Sequence, residues 1–326
     1  MRYVVYGAGA VGGTIGGRLF QHGHDVVLIT RGAHHDAITM RGLELRSPEH
    51  TVVLPIPAVD DPQHIQLGSD DVVVLAVKSQ HTATILDRLQ RAAGTRLPTV
   101  VCAQNGVDNE RQALRRFAQT YGMAVLLPAA HLEPGIVESY GVPYGGVLDL
   151  GRYPAGADDR AGTIAADLEG AGLRSCAQPH IMRHKYHKLL LNLGNALEAA
   201  CGPDAKWGDL WSRARDEALV CYEAAGIDRA SDEEDAERRG EMRIRPIDGQ
   251  RRGGGSTWQS LARGADSVEA DYLNGEIVLL GRLHDVPTPV NALLRDVANR
   301  MATGGLPPGT FSVEDLEAEL GGTKPR

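Results

Sequence analysis

Tyr3-Val4-Val5-Tyr6-Gly7-Ala8-Gly9-Ala10-Val11-Gly12 is an apolar run that breaks straight into a Gly-x-Gly-x-x-Gly turn, and it decides how the chain is read. A short continuous apolar run bounded by a turn fits a strand buried on both faces. Val11 to Gln21 then carries a helical period, with Gly23 near its end. Each glycine has a task in this strand–turn–helix order. Gly7 permits the tight turn, Gly9 lets backbone approach a pyrophosphate, and Gly12 lets the helix pack against the strand. The helix N-terminus adds unpaired N–H groups and a partial positive charge. Gly7, Ala8, Gly9, Ala10, Val11 and Gly12 are therefore the expected seat of a dinucleotide phosphate.

Working outward, Asp25 to Thr30, Asp71 to Val77, Thr99 to Ala103 and Met123 to Leu127 read as further strands, and His81 to Ala92 as a helix. Pro143 to Gly151 adds late strands and Ala161 to Gly170 another helix. Valine- and leucine-rich runs separated by helices predict an α/β domain: a Rossmann-type parallel sheet covered on both faces. Near Pro179 the pattern changes, and from there helix periods dominate. The expected organisation is a nucleotide-binding Rossmann domain over 1–178 and an all-helical, substrate-binding and catalytic domain over 179–326. A chain of 326 residues is long enough for two cores. Gly249 to Gly255 reads as a flexible loop. In the charged stretch Ser231 to Arg245 the acidic half reads as a solvated helix, with Ser231 as its N-cap and acidic residues in its first turn.

Composition narrows the function classes. Hydrophobic residues make up 42% and aromatic residues 5%, so aliphatic side chains and alanine must build the interior. A net charge of −8 argues against a nucleic-acid or anionic-membrane partner. No apolar stretch reaches the roughly 20 residues needed to span a bilayer. Met1-Arg2 leads into a strand without the pattern of a signal peptide, so the expected location is cytoplasmic. Cys102, Cys176, Cys201 and Cys221 form no Cys-x-x-Cys pair and read as buried free thiols of a reducing compartment.

The end of the second strand selects the cofactor. A site that prefers NAD usually places Asp or Glu there, whereas this chain has Thr30-Arg31. An arginine can pair with a 2′-phosphate, so the expected cofactor is NADPH. His34 and His35 fit a solvated surface.

In the second half, His184 to Asn195 (HKYHKLLLNLGN) carries the most information. On one continuous helix Lys188, Asn192 and Asn195 fall at i, i+4 and i+7 and share a face. Two readings fit: a wet amphipathic face, or a polar face that binds a carboxylate and protonates a carbonyl oxygen. His184 and His187 lack a third ligand at recognisable spacing, so no metal is expected.

The ordered motifs make the chain resemble the ketopantoate reductase (2-dehydropantoate 2-reductase) family from Met1 to about Arg300. They are GAGAVGG at 7–13, Arg31, AVKSQHT at 76–82, QNGVDNE at 104–110, KLLLN at 188–192, STWQSLARG at 256–264, VEADYLNG at 268–275 and VPTPVNA at 286–292. The resemblance implies NADPH-dependent reduction of a small 2-oxo acid, ketopantoate, to pantoate, a step towards pantothenate. It implies that Lys78 and Asn105 lie over the nicotinamide half and that Asn105 borders the substrate. It places a backbone cofactor contact at Ala130 and a cofactor-contacting carboxylate at Glu269. Lys188 is then the general acid, and Asn192 and Ser256 bind substrate.

The chain departs from the family pattern at Ala196, where a second substrate asparagine is usual, and Asn195 stands one residue earlier. Lys206 replaces a further asparagine, and Arg243, Arg245, Arg251 and Arg252 are additional. A missing hydrogen bond to a substrate hydroxyl shifts discrimination strongly. A sister reductase acting on a different, more anionic carbonyl compound is thus an alternative, and a non-catalytic NADPH-binding regulator a remote one. The active site is expected in the cleft between domains, and a homodimer through the helical half is the default assembly.

Overall fold

The computed structural model describes residues 1–322. Two compact units divide the chain. One joins Met1–Lys185 with Ala230–Arg252, and the other joins Tyr186–Arg229 with the chain from Gly253 onward.

The first unit is built on strands β1 (Arg2–Tyr6), β2 (Asp25–Ile29), β3 (Leu43–Arg46), β4 (Thr51–Leu54), β5 (Ala58–Val59), β6 (Val72–Leu75), β7 (Thr99–Cys102), β8 (Thr120–Leu126), β9 (Ala129–Ala130), β10 (Ile136–Ser139), β11 (Gly141–Val142), β12 (Val147–Arg152) and β13 (Arg243–Ile244). The main sheet runs β12-β8-β7-β6-β1-β2-β5. Every pairing from β5 to β8 is parallel, and β12 closes the far edge antiparallel to β8. Both faces are covered, as the continuous apolar runs predict. Tyr3, Val5, Val72, Val74 and Val101 point to one side and pack on helices α1 (Ala10–Gln21) and α5 (Asp159–Gly170). Val4, Tyr6, Val73, Leu75 and Val100 point to the other, against α3 (Thr82–Ala93) and the α4 (Asn109–Leu114) region. The period of two along each strand sorts the side chains between these layers.

Asp71 precedes β6, and its carboxylate accepts two bonds from the Arg2 guanidinium, at 2.9 and 2.7 Å, and one from the Gly68 N–H at 2.8 Å.

A second sheet, β4-β3-β10-β9, was not expected from sequence. Its strands are short, and the clearest period-two signal is Leu43-Glu44-Leu45-Arg46, in which the leucines are buried. Val137 of β10 joins Leu43, Leu45 and α1 in one core cluster.

The acidic half of the charged stretch is largely solvent-facing as expected, except that Asp235 is buried. Helix α9 (Asp232–Arg239) does have the predicted N-cap: Ser231 and Glu234 form a reciprocal capping box. Its later turns are docked. Arg238 forms a buried ion pair with Asp149 of β12 and donates to the Ala124 carbonyl at 2.6 Å. Glu234 pairs with Arg183 at 2.8 Å. β13 then pairs antiparallel with β11, a strand that the all-helical reading of the second half did not include. Residues 230–252 thereby belong to the first unit, and the chain's other crossing falls at Lys185, a few residues past the expected boundary at 178 and 179. The thiols also differ from expectation: Cys102 and Cys221 are buried, but Cys201 is half-buried and Cys176 exposed.

Helix α6 (Ile181–Asn192) begins in the first unit and continues in the second. Its first turns carry Lys185, whose Nζ lies 2.6 Å from Glu110 Oε1, with both side chains shielded from water. Lys185 also donates to the Gln104 carbonyl at 2.8 Å and the Met123 carbonyl at 3.3 Å. Burial pushes the Glu110 carboxyl above its ordinary pKa, and the Lys185 charge opposes that rise.

The second unit is helical. It continues α6 with α7 (Asn195–Cys201), α8 (Leu210–Ala224), α10 (Ser256–Ala262), α11 (Asn274–Leu283), α12 (Pro289–Thr303) and α13 (Val313–Gly322). Its longest apolar stripe, Val290, Leu293, Leu294, Val297, Ala298 and Met301 of α12, is buried throughout. Among the described residues no helix is long and apolar enough to cross a membrane.

Removing one partner of a buried ion pair strands the other charge, which costs about 3–5 kcal/mol. Lys185→Met is therefore expected to destabilise the protein by about that much at neutral pH in urea melts. A carboxyl whose pKa is raised by folding binds its proton more tightly in the folded state, so the variant should regain stability as pH falls towards the acid range. The double variant Lys185→Met with Glu110→Leu should recover most of the loss and its pH dependence. Additive losses in the double variant would refute the pairing.

Candidate functional site

In the first unit, the expected cofactor residues all lie just beyond the carboxyl ends of the parallel strands. Gly7 follows β1 with φ +99, in the left-handed region that favours glycine, and its N–H donates to Ile29 O at 2.9 Å. A Cβ on Gly12 would lie 2.0 Å from Gly7 O, so α1 seats against the turn only because that side chain is absent. A Cβ on Gly9 would meet only the edge of His131, at 3.9 Å, which leaves that face open to an incoming group. Gly9 is also the N-cap of α1. It supplies no capping side chain, and the first turn holds no acidic residue. Such a turn suits a phosphate, whose oxygens take the N–H bonds that a capping side chain would otherwise accept. The cradle therefore fits a dinucleotide. Ala8 is buried, and Ala10 and Val11 are half-buried in the first turn of α1. Arg31 follows β2 as the extended N-cap of α2 (Gly32–Arg41), and its side chain is exposed.

Lys78 and Asn105 sit on the loops after β6 and β7, and a buried polar network ties these loops together. Gln104 donates to the Val77 carbonyl and to Thr82 Oγ1, both at 2.9 Å. Thr82 donates to Asn109 Oδ1 at 2.7 Å, and Asn109 donates to Ser79 Oγ at 3.2 Å and the Asn105 carbonyl at 3.0 Å. Four of these five bonds join the motif AVKSQHT to the motif QNGVDNE, so the two segments are tied to each other inside the fold. Sequence reading assigned these four side chains no role, although several polar residues beside two apolar strands are the available signal. Ala130 is buried on β9, opposite Glu138.

In the second unit, Lys188 and Asn192 stand one turn apart on α6, as expected, with Lys188 half-buried and Asn192 buried. Helix α6 ends at Asn192, Leu193-Gly194 form a turn, and Asn195 starts α7, so the single continuous helix expected over Lys188 to Asn195 is interrupted. Gly194 is placed there because a Cβ would come within 3.1 Å of the Trp211 ring. The break brings Asn195 to another predicted substrate residue instead: its amide donates to Ser256 Oγ at 3.3 Å. Glu198 holds the start of α10 by accepting from the Gly255 N–H at 2.7 Å. Glu269 opens a short 3-10 turn (Glu269–Tyr272) and is buried.

Two buried asparagines stabilise the break. Asn274 Nδ2 donates to the Leu193 carbonyl and to Asn291 Oδ1, both at 3.1 Å. Asn291 Nδ2 donates to the Ala214 carbonyl and to Glu217, both at 2.8 Å. Glu217 in turn accepts from the first N–H groups of α12, Val290 and Asn291, at 2.8 and 3.0 Å. Sequence reading quoted VEADYLNG and VPTPVNA without assigning these residues; an amide inside each apolar helical run is the signal.

The family departures also have definite places. Ala196 is buried on α7, and Lys206 is exposed on the loop between α7 and α8, lining a surface hollow with Phe311 and Glu314. In the first unit, Arg243 and Arg251 are exposed, while Arg245 pairs with Glu49 at 3.3 Å and donates to the Pro48 carbonyl at 3.2 Å.

Comparison with known proteins agrees with this layout. The family model described as Ketopantoate reductase PanE/ApbA matches residues 3–154, and Ketopantoate reductase PanE/ApbA C terminal matches residues 180–302. The chain belongs to the ketopantoate reductase family. Among curated relatives, the 2-dehydropantoate 2-reductase of Pyrococcus horikoshii is 28% identical over 299 residues, covering 90% of this chain and 95% of that protein. A crystal structure of a PanE/ApbA family ketopantoate reductase from Ralstonia eutropha JMP134 is 27% identical with a TM-score of 0.77, covering 94% of this chain and 99% of that one. The ternary structure of D-mandelate dehydrogenase with NADH and anilino(oxo)acetate shares the fold, at 22% identity and a TM-score of 0.78 over 94% of this chain and 99% of that one. The chain is accordingly an oxidoreductase acting on a ketone or the corresponding alcohol.

Asn274→Leu removes the donor to Leu193 O and to Asn291 Oδ1, and a buried acceptor left unpaired costs about 1–3 kcal/mol. The expected outcome is a loss of that size in denaturant melts, together with a lower kcat as the α6–α7 break relaxes. A variant of native stability and native kcat would show that the network does not hold the break.

Proposed function

We propose that this reductase converts ketopantoate to pantoate with NADPH, and that Lys188 is its general acid. The observation that carries the reading is the match of both halves of the family in order along one chain, and the motif KLLLN at 188–192, to which the resemblance gives the catalytic role, lies on α6. When bound, the nicotinamide supplies a hydride equivalent to the ketone carbon. The chain's own work is to bind, orient and protonate. The first-turn N–H groups of α1, with Gly7, Ala8, Gly9, Ala10, Val11 and Gly12, hold the diphosphate. Arg31 faces the 2′-phosphate, and Lys78, Asn105, Ala130 and Glu269 complete the cofactor site. Asn105, Asn192, Asn195 and Ser256 orient the 2-oxo acid, and Lys188 donates a proton to the carbonyl oxygen as it gains charge. The hydrogen bond from Asn195 to Ser256 supports treating these two as one substrate-binding pair.

A second reading, a sister reductase for another small 2-oxo acid, is favoured by Ala196. That position is buried and apolar where the family pattern has an amide, so one bond to a substrate hydroxyl is missing. The engagement of Arg245 with Glu49 and the Pro48 carbonyl weakens its use as an anion anchor for a more highly charged substrate. Ketopantoate therefore remains first.

The decisive assay follows NADPH oxidation with ketopantoate. Lys188→Ala is expected to lower kcat about 10²–10⁴-fold with little change in NADPH affinity, the range for loss of a general acid. Turnover of a different 2-oxo acid in preference to ketopantoate would favour the second reading, and undiminished kcat in the variant would remove Lys188 from the chemistry. Arg31→Ala is expected to raise KM for NADPH about tenfold while leaving KM for NADH nearly unchanged, consistent with one lost charge-assisted contact. Equal effects on both cofactors would place the 2′-phosphate elsewhere.

A further inference from the structure

His34 is buried, although the sequence around it fits a solvated helix. It lies in the first turn of α2, directly after Arg31. Its Nε2 is 2.8 Å from the carbonyl of Ala8, inside the glycine turn after β1. Its Nδ1 is 2.8 Å from the N–H of Gly135, in the turn that leads into β10. Chemistry fixes the tautomer. A carbonyl only accepts and a backbone N–H only donates, so Nε2 carries the proton and Nδ1 is the bare acceptor. The imidazole is therefore neutral and spans two loops that are far apart in sequence. The ring also stacks on His131, with centroids 4.1 Å apart at a tilt of 46°. His131 is held by its Nδ1 at 2.9 Å from the Ile136 carbonyl, and its Cδ2 is the atom nearest the open face of Gly9.

We propose that His34 is a positioning residue for the dinucleotide: as a neutral imidazole it clamps the Ala8 carbonyl to the Gly135 turn and, through its stack on His131, sets the height of Gly9 under the diphosphate. The inference rests on the reading that this turn binds NADPH. The turn's N–H groups bind phosphate only while its carbonyls point away from the ligand, and the bond from His34 holds one of those carbonyls back. Protonation of Nδ1 would set an N–H against the Gly135 N–H, so the clamp exists only in the neutral ring. The charged or titratable groups around it are His131 from the β9–β10 connection, Glu133 in the same turn, Arg41 at the end of α2, whose Nη2 donates to the Pro134 carbonyl at 3.5 Å, and Arg31 and His35 on the approach to its own turn.

The test uses three proteins: native, His34→Ala and His34→Gln. Glutamine presents one donor and one acceptor and does not titrate. The readouts are the NADPH Kd from cofactor fluorescence, between about pH 8 and about pH 5.5 where histidine changes charge, and hydrogen exchange of the amides of residues 9–14 in the cofactor-free protein. His34→Ala is expected to weaken NADPH about fivefold to tenfold at pH 8, the equivalent of about one lost hydrogen bond, and to speed exchange in the turn. His34→Gln should restore both to near-native values and should flatten the part of the Kd–pH profile that native protein shows on acidification. Native-like affinity and exchange in His34→Ala would overturn the proposal, as would a Gln variant that titrates like native. Failure of the native protein to bind NADPH would instead overturn the cofactor reading, and the clamp's role in cofactor binding with it. Thermal melts of all three separate a local effect from loss of the fold.

Discussion

The close approach of α1 to the turn after β1 is the constraint on which the first unit depends. No side chain larger than hydrogen fits at Gly12, because the Gly7 carbonyl already occupies the space of a Cβ. That contact aims the helix N-terminus at the carboxyl edge of the sheet. The partial positive charge of the helix then lies where the strand order reverses, which is where open α/β sheets bind ligands. Everything assigned to the cofactor in this unit follows from that edge: Arg31 after β2, Lys78 after β6, Asn105 after β7 and Ala130 after β8.

Buried polar groups do the rest of the positioning, and they do so in pairs. Gln104 and Asn109 link the Lys78 and Asn105 loops by side-chain bonds inside the fold. Lys185 and Glu110 neutralise each other at the root of α6, the helix that carries Lys188 three residues later. Asn274 donates to the Leu193 carbonyl just past the end of α6, and Asn291 holds that amide by accepting from it. An unpaired polar group at any of these places costs free energy, so each pair holds its loop or helix end in one arrangement. An apolar core gives much less directional control, because it rewards burial without regard to geometry.

The helix break after Asn192 shows how this control alters the site. The single helix expected over this segment stops at Asn192, and past the turn at Leu193-Gly194 the Asn195 amide meets Ser256. Packing shapes this turn, since the Trp211 ring lies against Gly194 where a side chain would sit. The same logic moved residues 230–252 into the first unit. The helical period there was legible, and so was the Ser231 cap, but the partner that draws Arg238 inward is Asp149, 89 residues away in sequence.

The sequence by itself determined the parallel sheet, its glycine turn, the family and the candidate residues, because these are local: strand period, turn chemistry and motif order are written in neighbouring positions. It left the second sheet unread, because strands of four residues with weak alternation carry too little periodic signal. Tertiary structure alone decided which polar side chains are buried and whom they meet. His34 looked like a surface residue beside Arg31 and is buried, bonded to Ala8 and Gly135. Burial of a charged or polar group is a property of its surroundings, set by contacts between segments tens or hundreds of residues apart, and no local pattern in the chain encodes it.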